Sequence, residues 1–221
     1  MLMQPQPLLP QAVCIKINLQ GRVCALDFLV RSYMSKNLAC CFTGYRPNKF
    51  PFTFGEGEEY LDLENKLIKE IFSLPEENCL TFYTGMAMGF DILAAELVLL
   101  LKSRSNKKIK LVCCLPFKEQ QKGWDPHWQE RYENIMQQAD EAVLISDHYY
   151  KGCYFKRNEF MVDNSDIVLT FFDGTPGGTA QTLRYATKKG RRIINLARTD
   201  GGEFTYSDFE NMSDIYFFED E

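Results

Sequence analysis

Apolar residues in this chain fall into short continuous runs and longer periodic segments that alternate along the sequence. Six runs have the length and composition of β-strands: 38–43, 79–84, 109–115, 141–146, 167–172 and 192–196. Five segments between them carry apolar residues at helical spacing: 58–72, 90–102, 127–139, 156–164 and 178–189. Regular alternation of strand and helix predicts a Rossmann-like α/β fold, in which a doubly wound parallel sheet lies between two layers of helices.

The ends of this alternation divide the chain into three parts. Residues 38–200 form the predicted Rossmann-like domain, and residues 201–221 form an acidic C-terminal tail. Residues 1–37 are aperiodic, with three prolines among the first ten residues, and we expect an N-terminal extension that is poorly ordered or not native, the natural start being Met34. The alternative is a genuine extension with an edge strand or a short helix.

Composition and charge narrow the classes of function that this chain could have. Hydrophobic residues make up 45 % and charged residues 25 % of the 221, as in an ordinary globular protein. The net charge of −5 argues against a general nucleic-acid binder, because a phosphate backbone needs a basic face. Eight cysteines without a C-x-x-C pair and only two histidines predict reduced thiols and no metal site. Without a membrane-spanning run or signal peptide we expect a cytoplasmic protein with no membrane partner; a homo-oligomer is left open.

Two glycine-rich turns each follow a predicted strand and lead into a predicted helix. One spans 84–91 (T-G-M-A-M-G-F-D) and the other spans 173–179 (D-G-T-P-G-G-T). Glycine lets the backbone approach an anion closely, and the first N–H groups of a helix are unpaired, so this arrangement is typical of phosphate sites. A third turn, 44–47, also ends a strand. The three turns therefore predict one site at the carboxyl edge of the sheet, for a nucleotide or a nucleotide-derived ligand.

Candidate ligand-binding residues in these turns share a position just after a strand: Gly44, Tyr45, Arg46, Gly85, Met86, Gly89, Asp91, Asp173, Gly174, Gly177, Gly178 and Thr179. Arg46 could bind a phosphate or stack on a base, or else form a surface ion pair. Arg157 and Asn158, near the start of a helix, could reach the same cleft or pair with a nearby aspartate.

Catalytic residues are not fixed by the sequence. Arg157, Glu96 and Asp91 are the candidates, Arg157 as a group that steadies a phosphate or ribose and the carboxylates as acid or base. Asp91 could equally be a charge that stabilises the start of its helix, and Glu96 an ion-pair partner. No nucleophile–histidine arrangement is evident.

The order and spacing of these motifs resemble the YpsA-like family of the SLOG superfamily, which also contains DprA (Smf) and the LOG cytokinin-activating enzymes. The segments that carry the resemblance lie between residues 38 and 197: 43–47, 85–91, 94–96, 116–117, Trp124, 157–158, 161–163 and 173–179. The resemblance implies a Rossmann-like fold. It also implies a nucleotide or an ADP-ribose-like molecule as ligand, bound by a protein that acts as a sensor or regulator.

The same resemblance leaves two alternatives. LOG enzymes cleave the base from a nucleoside 5′-monophosphate with a P-G-G-x-G-T-x-x-E motif, of which residues 176–179 keep the opening. The next glycine is absent, and Leu183, Arg184 and Tyr185 stand where a glutamate is expected, which disfavours a phosphoribohydrolase-like enzyme. The other alternative is DprA-like binding of single-stranded DNA, which the net charge disfavours.

Removal of the first 33 residues should leave the melting temperature unchanged, because this segment is predicted to pack little against the domain. Differential scanning calorimetry of a chain that begins at Met34 checks this. A melting temperature lower by several degrees, equivalent to about 1 kcal/mol or more, would show that the extension belongs to the fold.

Overall fold

Six parallel strands form one sheet in the computed structural model, which describes residues 37–197. The elements follow in strict alternation: β1 (Leu38–Thr43), α1 (Gly57–Ser73), β2 (Cys79–Thr84), α2 (Phe90–Arg104), β3 (Lys110–Leu115), α3 (Pro126–Gln138), β4 (Glu141–Leu144), α4 (Cys153–Asp163), β5 (Ile167–Thr170), α5 (Gly178–Lys188) and β6 (Arg192–Asn195). Short 3₁₀ turns occupy Pro47–Lys49 and Leu74–Glu77. The predictions made for residues 1–36 and 198–221 lie outside the described residues.

The strand order is β4-β3-β2-β1-β5-β6, and every neighbouring pair is parallel. The chain moves outward from β1 to β4 and then returns to place β5 on the other side of β1. Helices α1, α2 and α3 contact one another in turn, whereas α4 packs on α5. Because β–α–β crossovers are right-handed, these two groups cover opposite faces of the sheet. The predicted three-layer Rossmann-like fold is confirmed.

The hydrogen-bond register aligns β1 and β5, the two strands between which the strand order reverses its direction (the switch point). Residues 40–43 of β1 pair in sequence with residues 167–170 of β5, so that Thr43 stands opposite Thr170. The turns that follow these two strands therefore start at the same level of the sheet edge. In open α/β sheets this crevice is where ligands bind, because the two connections leave in opposite directions.

The buried core explains why the central strands read as continuous apolar runs. Cys40, Cys41 and Phe42 of β1 are fully buried, and all four residues of β5 are buried, because helices cover both faces. Edge strand β4 is mostly exposed, and only Val143 in it is partly buried. The apolar helix α2 buries nine of its fifteen residues, since it packs between α1 and α3 as well as on the sheet.

Two strands end two residues before their predicted ends. The strand predicted at 167–172 ends at Thr170, because the side chain of Asn195 bonds both the N–H (3.0 Å) and the carbonyl (2.7 Å) of Phe172. The strand predicted at 141–146 ends at Leu144, and the hydroxyl of Ser146 instead caps a turn by bonding the backbone of His148. In both places a side chain takes over the backbone groups that a strand would pair.

The cysteines in the described part of the chain are free and buried: Cys40, Cys41, Cys79, Cys113, Cys114 and Cys153. Burial raises the pKa of the Cys113 and Cys114 thiols to about 12, so they pack as neutral apolar groups. None of the helices between residues 37 and 197 combines the length and apolar character needed to span a membrane.

Candidate functional site

A cavity of about 640 Å³ lies at the carboxyl edge of the sheet, over the switch point between β1 and β5. Five segments contribute to its wall: the β1 turn (Thr43, Gly44, Tyr45, Arg46, Lys49), the start of α2 (Ala87, Asp91), the loop before α4 (Tyr149, Lys151, Gly152), α4 (Tyr154, Phe155, Arg157, Asn158) and the start of α5 (Pro176, Gly177, Gly178, Thr179, Gln181). All three predicted turns therefore reach one cavity.

Not every predicted residue faces it. Gly85, Met86, Gly89, Asp173 and Gly174 are absent from the wall, so of the three glycines expected to share it, Gly44 and Gly178 do and Gly85 does not. The turn after β2 enters the cavity through Ala87 and Asp91 instead. Four of these residues, Gly85, Met86, Gly89 and Asp173, make structural contacts instead.

The 84–91 turn already holds a carboxylate of its own. Asp91 is only 4 % exposed and accepts hydrogen bonds from the backbone N–H groups of Gly85 and Ala87. The Thr84 hydroxyl accepts from the N–H of Met86 (3.1 Å) and donates to the carbonyl of Asp91 (3.1 Å). These bonds use donors that an external phosphate would need. The interpretation of this turn as an open phosphate cradle is therefore corrected: its anion is internal.

Arg157 lies against this turn from the α4 side. Its guanidinium donates through Nη1 to the carbonyl of Gly85 and through Nε to Oδ1 of Asn158 (2.8 Å). A Cβ at Gly85 would overlap the guanidinium of Arg157 and lie 2.7 Å from Oδ2 of Asp91. Gly85 is thus required because the charged pair occupies the space above it. Arg157 does reach the cavity wall, as one of the two sequence hypotheses held.

Burial sets the electrostatics of this pair. It raises the pKa of Asp91 from 3.8 to about 6, against the guanidinium of Arg157 and the backbone N–H groups, which lower it. Burial also lowers the pKa of Arg157, while the carboxylate of Asp91 raises it. The cavity therefore contains a carboxyl group whose pKa is raised towards neutral pH, a feature that is common at functional sites.

The α5 turn, by contrast, is open. Gly177 occupies the N-cap with φ of 151°, a backbone conformation that residues with a side chain rarely adopt. It has no side chain that could cap the helix. A Cβ at Gly178 would meet no atom within 4 Å, and a Cβ at Gly177 would lie 3.3 Å from Nζ of Lys49. The start of α5 thus presents unpaired N–H groups to the cavity beside a lysine ammonium group. Both features attract an anion.

Thr179 and Tyr45 join the β1 and β5 turns. The hydroxyl of Thr179 donates to the carbonyl of Gly44 (3.1 Å). The hydroxyl of Tyr45 donates to Oδ1 of Asp173 (2.5 Å), which also accepts from the N–H of Thr175 (2.9 Å). Burial, followed by the bond to Asp173, raises the pKa of Tyr45 to about 12. These predicted ligand residues hold the cavity wall in shape.

Asn158 also has a structural partner, because its amide donates to the hydroxyl of Thr182 (2.8 Å) and thereby ties α4 to α5. Gly89 begins α2 in close contact with β1: a Cβ there would lie 2.6 Å from the carbonyl oxygen of Tyr45. Met86 is buried, and its carbonyl accepts from the amide of Gln120 (3.3 Å).

Glu96 lies outside the cavity. Its two carboxylate oxygens accept from Nε (2.8 Å) and Nη2 (2.6 Å) of Arg131, in a bidentate pair that joins α2 to α3. The ion-pair interpretation is the one that this geometry supports, and a role for Glu96 as acid or base has no geometric basis. Within residues 37–197 no group of three His, Cys, Asp or Glu side chains is placed to hold a metal ion.

Several cavity residues were missed from the sequence. Lys49 lies two residues beyond the 44–47 turn, and Tyr149, Lys151 and Tyr154 come from the loop and helix that follow β4. The available signal was topological: β4 and β5 are not neighbours, so the connection between them must cross the sheet edge where the turns lie.

Alanine substitution should distinguish the glycine that packing requires from the glycine that leaves space for a ligand. Gly44→Ala should lower the free energy of unfolding by about 1–3 kcal/mol, because its Cβ would overlap the ring of Phe90. Gly178→Ala, with open space at its Cβ, should leave the free energy of unfolding unchanged or slightly raised. Urea denaturation of both variants measures this, and equal losses would contradict the assignment.

Removal of the Asp91 carboxylate should change how stability depends on pH. The folded-state pKa of about 6 exceeds the ordinary 3.8, so the contribution of Asp91 to stability is present below about pH 4 and is lost as pH rises through about 6. Between about pH 4 and about pH 7, the free energy of unfolding should therefore shift by about 2 kcal/mol in favour of Asp91→Asn relative to the wild type. Urea denaturation across this range measures the difference.

Asp173→Asn provides a control of opposite sign. Burial raises the pKa of Asp173, but hydrogen bonds from Tyr45 and Thr175 outweigh it, so the pKa is lowered overall. Its stabilising contribution is therefore present above the ordinary pKa and is lost as pH falls. If the difference in the free energy of unfolding between the wild type and Asp91→Asn does not vary with pH, the pKa of Asp91 is not shifted in the folded state.

Comparison with known proteins identifies the family. Residues 40–196 match the family model YpsA, described as the YspA SLOG family. The uncharacterised SPbeta prophage-derived protein YoqJ of Bacillus subtilis (strain 168) is 33 % identical over 141 residues, which cover 58 % of this chain and 82 % of YoqJ. A UPF0398 protein of Halalkalibacterium halodurans is 28 % identical over 150 residues, covering 66 % of this chain and 79 % of that protein.

Solved structures of DNA processing protein A have a similar fold. The protein from Helicobacter pylori, which has a single-stranded DNA binding mode, superposes with a TM-score of 0.54 at 15 % identity, covering 82 % of this chain and 75 % of that one. DprA from Streptococcus pneumoniae gives a TM-score of 0.52 at 14 % identity, covering 82 % and 62 % of the two chains. At such identities the likeness shows the fold alone.

The family match extends over most of the described residues. It begins within β1 and ends after β6, and it includes each of the turns that line the cavity. Four of the segments that suggested the resemblance, 43–47, 85–91, 157–158 and 173–179, contribute residues to the cavity wall. The chain belongs to the YpsA family of SLOG proteins.

Proposed function

We propose that this protein binds a nucleotide or a nucleotide-derived ligand such as ADP-ribose, and acts as a sensor or regulator rather than as an efficient enzyme. The observation that carries the proposal is the open start of α5, where Gly177 and Gly178 leave backbone N–H groups facing a 640 Å³ cavity beside Lys49. A volume of this size is in the range that holds small-molecule ligands.

Charge supports a small anion as the ligand. Four cationic side chains line the cavity (Arg46, Lys49, Lys151 and Arg157), against the single carboxylate of Asp91. The whole chain nevertheless carries a net charge of −5. A basic cavity in an acidic protein attracts a small phosphate-bearing molecule, whereas a long polyanion would also meet the acidic surface. This balance disfavours the DNA binding known for the Helicobacter DprA.

The binding test uses calorimetric titration of the full chain with adenosine 5′-monophosphate and ADP-ribose. Ligand at about one hundred times its dissociation constant should stabilise the fold by about 2.7 kcal/mol. Gly178→Asp places a carboxylate at the start of α5, at a position where an added Cβ meets no atom within 4 Å. Because like charges a few ångströms apart repel strongly, it should weaken binding at least about 100-fold.

Gly178→Asn is the matched control, because asparagine has the same shape as aspartate without the charge. It should weaken binding by less than about ten-fold if the phosphate is held by the charge and N–H groups of the helix start. Equal losses in the two variants would show that bulk rather than charge blocks the cavity. If the wild type binds neither compound, the proposed function is wrong.

One observation favours a second candidate, a nucleoside 5′-monophosphate phosphoribohydrolase-like enzyme. Asp91 lines the cavity beside Arg157, and its pKa of about 6 would suit an acid or base near neutral pH. The same mixtures with adenosine 5′-monophosphate, analysed by chromatography, should contain no free adenine above background. Steady release of adenine that Asp91→Asn abolishes would favour the hydrolase.

A further inference from the structure

A loop that crosses the sheet edge forms part of the cavity wall, together with the turns predicted from the sequence. We call residues 145–152, between β4 and α4, the crossover loop. β4 lies at the edge of the sheet and α4 packs near β1, so the loop passes over the carboxyl ends of the intervening strands. Tyr149, Lys151 and Gly152 of this loop line the cavity, as does Tyr154 in the first turn of α4.

An aromatic cluster fixes the position of Tyr149. Its ring centroid lies 5.5 Å from that of Phe117, with an interplanar angle of 83°, and 6.5 Å from that of Tyr154. Phe117 and Tyr154 themselves meet edge to face at 5.7 Å. Edge-to-face contacts hold aromatic rings in defined orientations. Tyr149 nevertheless remains 64 % exposed, so it offers a positioned aromatic surface with no covering layer in the described part of the protein.

The cluster lies next to the cationic part of the cavity. Burial raises the pKa of Tyr154, whereas Arg46, which approaches its hydroxyl, lowers it. Arg46 follows β1 and shares the cavity wall with the start of α5. An anion-binding helix start and an exposed aromatic ring thus belong to one cavity, with an arginine between their segments. A nucleotide has groups that match both: a phosphate for the helix start and a flat aromatic base for the ring, joined by a sugar.

We propose that the crossover loop is the base-binding wall of the cavity, and that the base of the ligand stacks on the ring of Tyr149. This inference rests on the function proposed above and adds the ligand class: a nucleotide with an aromatic base, rather than a sugar phosphate or an inorganic anion. Stacking is available to every base, so this contact provides affinity for the base without selecting which one.

The test compares ligands with and without a base. Calorimetric titration of the full chain should give tighter binding of adenosine 5′-monophosphate than of ribose 5-phosphate. Tyr149→Ala should weaken binding of adenosine 5′-monophosphate by about ten-fold, as loss of one base–aromatic stack does. It should leave binding of ribose 5-phosphate unchanged. Tyr149→Phe should bind both compounds as the wild type does, because the ring is kept.

Tyr150→Ala is the matched control, since Tyr150 is the neighbouring exposed tyrosine (43 %) and is absent from the cavity wall. It should bind both compounds as the wild type does. Unchanged binding of adenosine 5′-monophosphate by Tyr149→Ala, or an equal loss for both compounds, would overturn the inference and leave the proposed function standing. Failure of the wild type to bind adenosine 5′-monophosphate would overturn the inference, and failure to bind ADP-ribose as well would overturn the proposed function.

Discussion

The buried charge pair of Asp91 and Arg157 is the constraint on which the geometry of the cavity depends. Asp91 accepts hydrogen bonds from the N–H groups of Gly85 and Ala87, and Arg157 donates one to the carbonyl of Gly85. The turn after β2 is therefore hydrogen-bonded by both side chains. Removal of either partner would leave a buried charge without compensation, which is expensive in a protein interior. Asp91 belongs to α2 and Arg157 to α4, so the backbone of Gly85 is held by side chains from both helices.

The sequence was sufficient to predict the fold, because the relevant signals are local. Strands buried on both faces must be continuously apolar, as 40–42 are, and helices must repeat at 3.6 residues; both patterns can be recognised without knowledge of distant contacts. The convergence of three turns followed from the same logic, since parallel strands end at one edge. Strand ends were less predictable, because Asn195 lies 23 residues from the Phe172 backbone that it bonds.

The role of each turn residue could not be predicted from the sequence, because similar motifs serve opposite purposes here. Gly85 and Gly178 both follow strands and precede helices, yet the first lies beneath a guanidinium and the second beside open space. What distinguishes them is Arg157, which is 72 residues away along the chain from Gly85. Tyr149 and Lys49 were missed for a related reason: neither belongs to a recognisable motif, and only the strand order brings them to the cavity.

The two glycine turns can therefore be understood as a closed and an open form of the same anion site. At the start of α2 the anion is a side chain of the protein, Asp91, which accepts from the N–H groups of Gly85 and Ala87 and lies near Arg157. At the start of α5 no side chain takes that place, and Thr179 directs its hydroxyl to the carbonyl of Gly44 instead of capping the helix. A helix start left without a cap costs stability unless another group satisfies it. The start of α5, with Lys49 beside it, opens into a cavity lined by four cationic side chains, and this is the physical basis of the proposal that it binds an external anion.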